Sequence, residues 1–216
     1  MNAIDPSKFL LYYKKKAIFN SSFHKRSAVV NTKTVKRFFL DGDLVVFRYP
    51  HFSDWLDIMR KVNSLTKEKS FGSPQRRTTG KQNRKWMRER LRGVKENNAV
   101  CLVVEIRGVV VGSASIWRIQ NKPNRGCLEI SIRSKMPDNH EELWGRGIGK
   151  KLVYAIIHEA KTVLRVKIVE LGVYAANRGA VNLYIRCGFS EMRRIRREKN
   201  HYGVMRDRIY MKKRLR

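Results

Sequence analysis

The feature that most restricts how this 216-residue chain can fold is the way its apolar residues switch between two periods. Cys127–Arg133 alternates without a break: Leu128, Ile130 and Ile132 fall on one side, Glu129, Ser131 and Arg133 on the other, as in a strand with unlike faces. Gly149–Lys161 instead sets Leu152, Val153, Ile156 and Ile157 at helical spacing. The same test predicts strands over Leu44–Tyr49 (stopped by Pro50), Ala99–Ile106, Val109–Ile119 and Val166–Ala175, the second and third joined at Arg107-Gly108. It predicts helices over Ser53–Leu65, with Ser53 as candidate cap, over the very basic Gln82–Asn97, and over Arg178–Cys187. Two further strands are expected in 189–213, around Asn200–Gly203. The order from residue 44 onward is β-α-α-β-β-β-α-β-α-β-β, an α/β (α+β) chain with about seven strands.

Charge narrows the company such a chain can keep. Lys and Arg number 48 against 18 Asp and Glu, a net charge of +30. A compact domain carries that charge against its own self-repulsion, which points to a polyanionic partner or a phosphate-rich cofactor. Residues 1–41 hold nine of the cations against Asp5 and Asp41, interleaved with Phe9, Tyr12, Tyr13, Phe19, Phe23, Phe38 and Phe39. They are set apart as a basic N-terminal arm ahead of a domain over 42–216. Two readings of the arm stand side by side: a surface for single-stranded nucleic acid or the ribosome, or aromatics that pack onto the domain. A mitochondrial presequence would favour Arg over Lys, and here only Arg26 and Arg37 are Arg.

Other classes drop out. The longest apolar runs, such as Ala99–Ile106, fall far short of the ~20 residues of a membrane span. The N-terminus lacks the apolar run of a secretory signal. Cys101, Cys127 and Cys187 are odd in number and widely spaced, matching neither a disulfide framework nor a zinc site; free thiols in a reducing, cytoplasmic compartment are expected, with no metal.

The chemistry concentrates in two segments. Trp144-Gly145-Arg146-Gly147-Ile148-Gly149-Lys150-Lys151 lies between a strand and a helix. Glycines at alternate positions let the backbone turn its amides toward a ligand, and the helix N-terminus adds free N–H groups and a positive dipole end. Arg146, Lys150 and Lys151 crowd cations where a helix disfavours them, which makes sense if an anion docks. A P-loop is excluded, because Trp144 and Lys151 stand where it needs Gly and Ser or Thr; a dinucleotide fingerprint is excluded by Leu152. The second segment runs from Asn177, a candidate helix cap, through Ala180, Leu183 and Tyr184 to Gly188-Phe189. Taken alone, Tyr184 would read as a core aromatic.

Together the two segments resemble the GNAT superfamily of N-acetyltransferases. That family carries Gln/Arg-x-x-Gly-x-Gly/Ala at a strand-to-helix turn and, some thirty residues on, Asn-x-x-Ala-x-x-Leu-Tyr-x-x-x-Gly-Phe. Asp207-Arg208-Ile209-Tyr210-Met211-Lys212 is similar to the family's last strand, so the likeness spans about 44–213. It implies a mixed central sheet flanked by helices, with two central strands splayed around a thioester, and acetyl-CoA as cofactor. Gly145, Arg146, Gly147, Ile148, Gly149 and Lys150 would hold the pyrophosphate through their amides. The strand ending near Ile132 would bind the pantetheine, and Asn177 the CoA arm. Tyr184 carries over as the acid that protonates the departing thiolate. For the base, Glu129 is the first choice and Glu170 the second; either could instead be an ion-pair partner.

Two departures stand out. Trp144 replaces the usual Gln or Arg. Gly172 stands where acetyltransferases of ribosomal-protein N-termini often carry Glu, with Glu170 displaced by two. The resemblance implies direct transfer, in a ternary complex, to a primary amine: a protein N-terminus or lysine, on a monomeric or homodimeric enzyme. Alternatives are aminoacyl-tRNA acetylation, or a non-catalytic RNA- or ribosome-binding protein on this scaffold. For the last, Arg76–Lys95 has nine cations and one acid, and Arg186–Arg216 twelve and three.

Overall fold

A computed structural model describes residues 32–71, 73–199 and 203–215. The elements run β1 (Thr34–Leu40), β2 (Asp43–Arg48), a 3-10 turn (Phe52–Asp54), α1 (Trp55–Lys67), α2 (Gly80–Lys95), β3 (Ala99–Ile106), β4 (Val109–Ile119) and β5 (Lys122–Ile132). Then come α3 (Ile148–Thr162), β6 (Ile168–Tyr174), α4 (Arg178–Arg186), β7 (Ser190–Lys199) and β8 (Met205–Arg214). The expected order is present, with one strand added at the front.

That strand, β1, falls inside the segment set apart as an arm. It pairs antiparallel with β2, so the described sheet begins at Thr34 and holds eight strands where about seven were expected. Its signal was hidden because a register shift between Thr34 and Lys36 breaks the alternation: Val35, Phe38 and Leu40 face the core at uneven spacing. Phe38 packs edge-on against Phe47 with ring centroids 5.3 Å apart, while Phe39 stays exposed. Phe9, Tyr12, Tyr13, Phe19 and Phe23 lie outside the described residues.

Local chemistry sets the helix starts. Ser53 was expected to cap α1; instead His51 caps the 3-10 turn, and Asp54 reaches back to the His51 backbone N–H at 2.7 Å. Thr79 and Gln82 form the equivalent reciprocal cap on α2.

The sheet order is β1-β2-β3-β4-β5-β6-β8-β7, and every neighbouring pair is antiparallel except β5 and β6. Its two faces differ. Toward α3, the stripe Leu152, Val153, Ile156 and Ala160 is fully buried against Val100, Leu102, Ala114, Ile116 and Leu128. Each such aliphatic side chain contributes about 1.5–3 kcal/mol. Toward α1 and α2 the apolar core shrinks to Ile58, Met87, Val103 and Val110, with Trp55, Trp86 and Leu91 packed on it. The rest of that face is polar. Among the described residues, no helix is long and apolar enough to cross a membrane, and no group of side chains could hold a metal ion.

Candidate active site

The site begins where two strands part. The parallel ladder of β5 and β6 has three pairs, Arg125 with Ile168, Gly126 with Val169 and Cys127 with Glu170. Past Cys127 the strands diverge: β5 continues through Leu128–Ile132 alongside β4, and β6 through Leu171–Tyr174 alongside β8. The splay expected from the resemblance is present, and the strand polar groups that line it lack a partner across the gap.

One end of the gap meets the glycine turn. Gly145 and Gly147 have φ near +82° and +81°, a conformation that side-chain-bearing residues rarely adopt, and Gly147 is the N-cap of α3. No atom lies within 4 Å of where either Cβ would be, so the turn opens outward. The first-turn amides of Ile148, Gly149 and Lys150 have no acceptor within the helix. Gly149 is glycine for another reason: Leu183 of α4 sits 3.2 Å from its missing Cβ. This is a cradle of backbone donors at a positive dipole end, which fits the pyrophosphate of a coenzyme A. The side chains around it are not equally free. Arg146 is held by Asp41, at 3.0 Å from Nε, and by Glu141, so it would serve a phosphate through its amide. Lys150 is exposed, and Lys151 lies over the Phe38 ring at 5.2 Å. The Ile132 carbonyl, expected to meet a pantetheine, accepts a 3.1 Å bond from the indole N–H of Trp144. The unusual residue at the head of the turn therefore reaches back to the edge of the gap.

Tyr184 and Asn177 come from α4, directly after β6. The Asn177 side-chain carbonyl accepts from the Ala180 N–H at 3.2 Å, capping the helix and leaving its NH2 half outside that bond. Tyr184 is buried, edge-on to Phe189 at 5.8 Å. Burial pushes its phenol well above the ordinary value, so it stays protonated, the form an acid needs.

Glu129 and Glu170 share the polar face of the sheet and differ in their ties. Glu129 is exposed on β5; it accepts a 2.7 Å bond from Arg90 of α2 and a 3.4 Å bond from the Ser115 hydroxyl. Glu170, largely covered on β6, is bound to Arg125 at 2.5 Å. Between them lies Cys127, whose thiol feels Glu129, Glu170, Arg208 and Arg90 and is raised to about 12, chiefly by burial.

Several residues of this face escaped the sequence reading. Lys61 of α1 is buried and gives hydrogen bonds to the hydroxyls of Ser113 (2.6 Å) and Ser131 (2.7 Å), with no carboxylate partner. Burial, with Arg90 and Arg133 nearby, lowers its ammonium to about 7. A signal existed: Lys61 stands three residues after Ile58 and four before Leu65, on the buried stripe. Arg90 is sandwiched between Trp86 and Trp117, at 4.6 and 4.7 Å, and Arg208 between Tyr174 and Tyr210, at 5.4 Å from each. These stacks join elements far apart in the chain, and no local pattern reveals them.

A strand pair opened beside an anion cradle, with a protonated phenol on α4 and a solvent-exposed carboxylate, held by Arg90, on β5, suits an acyl group carried on a phosphate-bearing cofactor. The sequence agrees. It matches the model of the Acetyltransferase (GNAT) family over residues 62–189, more than half of the chain, and the chain belongs to that family of acyltransferases. No curated protein shows a significant match. Solved structures share the fold at low identity. A GNAT-family acetyltransferase from Streptococcus pneumoniae is 21% identical with a TM-score of 0.66, covering 79% of this chain and 99% of its own. A ribosomal-protein-S5-alanine acetyltransferase from Vibrio fischeri is 18% identical with a TM-score of 0.69, covering 83% and 96%. An acetyltransferase from Salmonella typhimurium, solved with its cofactor acetyl-CoA, is 19% identical with a TM-score of 0.66, covering 80% and 94%.

Proposed function

We propose that this enzyme transfers an acetyl group from acetyl-CoA directly to a primary amine of a protein, an N-terminus or a lysine, in the cytoplasm. The carrying observation is the set of groups around the splay: the amide cradle at Gly145–Lys150 at one end, Glu129 on the wall of β5, and protonated Tyr184 beside β6. Bound acetyl-CoA supplies a thioester carbonyl open to attack and a thiolate leaving group. An acceptor amine, with a free pKa near 10.4, must first lose its proton. Glu129 is the base in this reading: both carboxylates are paired with an arginine, but Glu129 is exposed to an incoming amine and Glu170 is largely covered. The ammonium gives its first proton to solvent; as the C–N bond forms and the C–S bond breaks, the second nitrogen proton passes to Glu129 and the Tyr184 hydroxyl proton to sulfur, after which Glu129 releases its proton to solvent and Tyr184 regains one from it. Asn177 positions the coenzyme arm through its free NH2 group, with Ile132 lending backbone contact once Trp144 swings aside.

A protein acceptor is supported by the fold shared with ribosomal-protein acetyltransferases and by the positive charge of α2 and the last two strands, which suits an acceptor on the ribosome or another RNA-bound assembly. The basic residues ahead of β1 would add to that contact. Acetyl-CoA is expected to raise the melting temperature of the isolated enzyme. A melting curve indifferent to acetyl-CoA would refute the reading. Labelled transfer into a cell extract separated into protein, RNA and small-molecule fractions then identifies the acceptor; label confined to RNA would point to aminoacyl-tRNA instead.

A further inference from the structure

Helix α2 turns one unbroken row of cations to the outside. Lys81, Lys85, Arg88, Arg92 and Lys95 follow one another at intervals of four, three, four and three residues, and all are exposed. At 3.6 residues per turn that spacing keeps them within about 80° of arc, along about 21 Å of helix. Arg88 lies over the Phe52 ring at 5.4 Å, and among the described residues none of the row forms an ion pair. Glu89, the single acid of the helix, stands beside the row. Side chains three and four apart on a helix are neighbours, so each step along the row sets like charge against like charge. The first turn, where a helix welcomes an acid, holds Lys81 and no acid. The free protein carries this arrangement at a cost that a polyanion lying along the row would relieve.

The composition of the row says which polyanion. A helix that lies on a membrane shows apolar side chains beside its cations, and a protein partner is gripped by aromatic or aliphatic anchors. α2 shows neither. Trp86, Met87 and Leu91 are turned onto the sheet, and none of the exposed large apolar side chains belongs to this helix. Charge without anchors is what a phosphate backbone asks for. The seating of the helix narrows the partner further. Gly93 lets α2 come so close to β4 that a Cβ there would meet the Trp117 ring at 2.5 Å, and Asn83 and Met87 are buried as well. A helix packed down along its length cannot enter the major groove of a DNA duplex, which receives a protruding one. It can lie across the wide, shallow minor groove of an RNA duplex and meet the phosphates on either side.

We propose that the outer row of α2 is a docking surface for duplex RNA. The last two strands carry cations too, but there Arg194 is bound to Glu191 and Arg193 is stacked on Tyr210, so no comparable free row forms. On the inner side of α2, Arg90 is bonded to Glu129. RNA on the row therefore lies one helix thickness, about 10 Å, from the arginine that holds the proposed base. An amine on a protein bound to that RNA is brought to the mouth of the cleft. This delivery rests on the acetyltransferase reading; the docking itself stands on α2 alone.

The test follows the fluorescence anisotropy of a labelled RNA duplex of about 16 base pairs, the span of a duplex-RNA-binding domain. It is titrated with the full-length protein, without acetyl-CoA, from low to physiological salt. Affinity should fall steeply as salt rises. The triple variant Lys85→Gln, Arg88→Gln, Arg92→Gln should bind about tenfold more weakly or worse, with a log–log salt slope shallower by about 2–3, close to one for each phosphate contact removed. A second triple variant, Arg196→Gln, Arg197→Gln, Lys199→Gln, removes as much charge from β7 and should stay close to wild type. Both should melt with the wild type and keep its response to acetyl-CoA, because all the replaced side chains are exposed. A DNA duplex of the same sequence, polyglutamate and phosphatidylserine vesicles should each bind more weakly than the RNA. Unchanged RNA affinity in the α2 variant, an equal loss in the β7 variant, or equal binding of any of those three polyanions overturns the proposal. Row-dependent RNA binding by a protein that acetylates nothing leaves the docking in place and removes the acetyltransferase reading. Acetyl transfer to protein without row-dependent RNA binding does the reverse.

Discussion

The two faces of the sheet solve opposite problems with the same strands. On the α3 side, Leu128, Ile130 and Ile132 join one continuous apolar core that seats α3 and so fixes the glycine turn at its N-terminus. On the α1–α2 side, the alternate residues Cys127, Glu129 and Ser131 face arginines, serines and a buried lysine. The first face is held almost wholly by apolar packing, its one buried carboxylate, Glu159 of α3, being bound to Lys33 and to the Tyr49 hydroxyl. The second tolerates charge because each group is stacked, paired or held by a hydroxyl, and it gives up stability to do so.

The comparison can be broken most forcefully at the one hydroxyl buried in the apolar core, that of Tyr184. Tyr184→Phe keeps the ring against Phe189 and removes only the hydroxyl. Turnover should fall about 10²–10⁴-fold. Acetyl-CoA affinity, followed by calorimetry, should barely move. An equal loss in both would make Tyr184 a packing residue and move the acid elsewhere. Next in size is the apolar face itself. Leu152 is fully buried at the centre of the α3 stripe, so Leu152→Ala should destabilise the fold by about 2–5 kcal/mol in denaturant unfolding. A loss below about 1 kcal/mol would mean that this core is looser than its burial implies.

How far this was readable in the sequence follows from distance along the chain. The glycine turn, the Asn177–Phe189 helix and the strand alternation of Cys127–Arg133 are local, and each appeared where expected. The splay followed only from the family resemblance, since three ladder pairs and then none is a matter of register. β1 was lost because a bulge broke its period, and Ser53 was read as the cap because serine is a common choice there, whereas His51 rarely fills that place. Arg208 could be seen beside Tyr210, but its fit over Gly172 needs the β6–β8 pairing of Gly172 with Tyr210 and Tyr174 with Arg208. The charge of Arg146 was counted toward a docking anion, and its side chain is bound instead to Asp41, more than a hundred residues earlier, and to Glu141.

The finest test of the contrast reverses its sign. Lys61 is as deeply buried as Leu152, yet replacing it with an apolar residue of similar length should strengthen the protein. Its ammonium loses its proton at about pH 7 in the folded state and near 10.4 when unfolded. Between those values the unfolded chain binds more protons, so stability rises with pH; below about 7 both states are charged and the penalty is complete. The cysteines oppose this once the unfolded thiols ionise, from about 8.5, because burial holds Cys101 and Cys127 near 12 in the fold. Lys61 is therefore isolated between pH 7 and 8.5, where the wild-type melting temperature should climb and that of Lys61→Met should stay flatter. At pH 7 the variant should be more stable by about 1–4 kcal/mol, Ser113 and Ser131 being left to bond to each other. A variant less stable than wild type at pH 7 would show that the ammonium is worth more to the fold than its burial costs, and the two faces would then be alike in what holds them together.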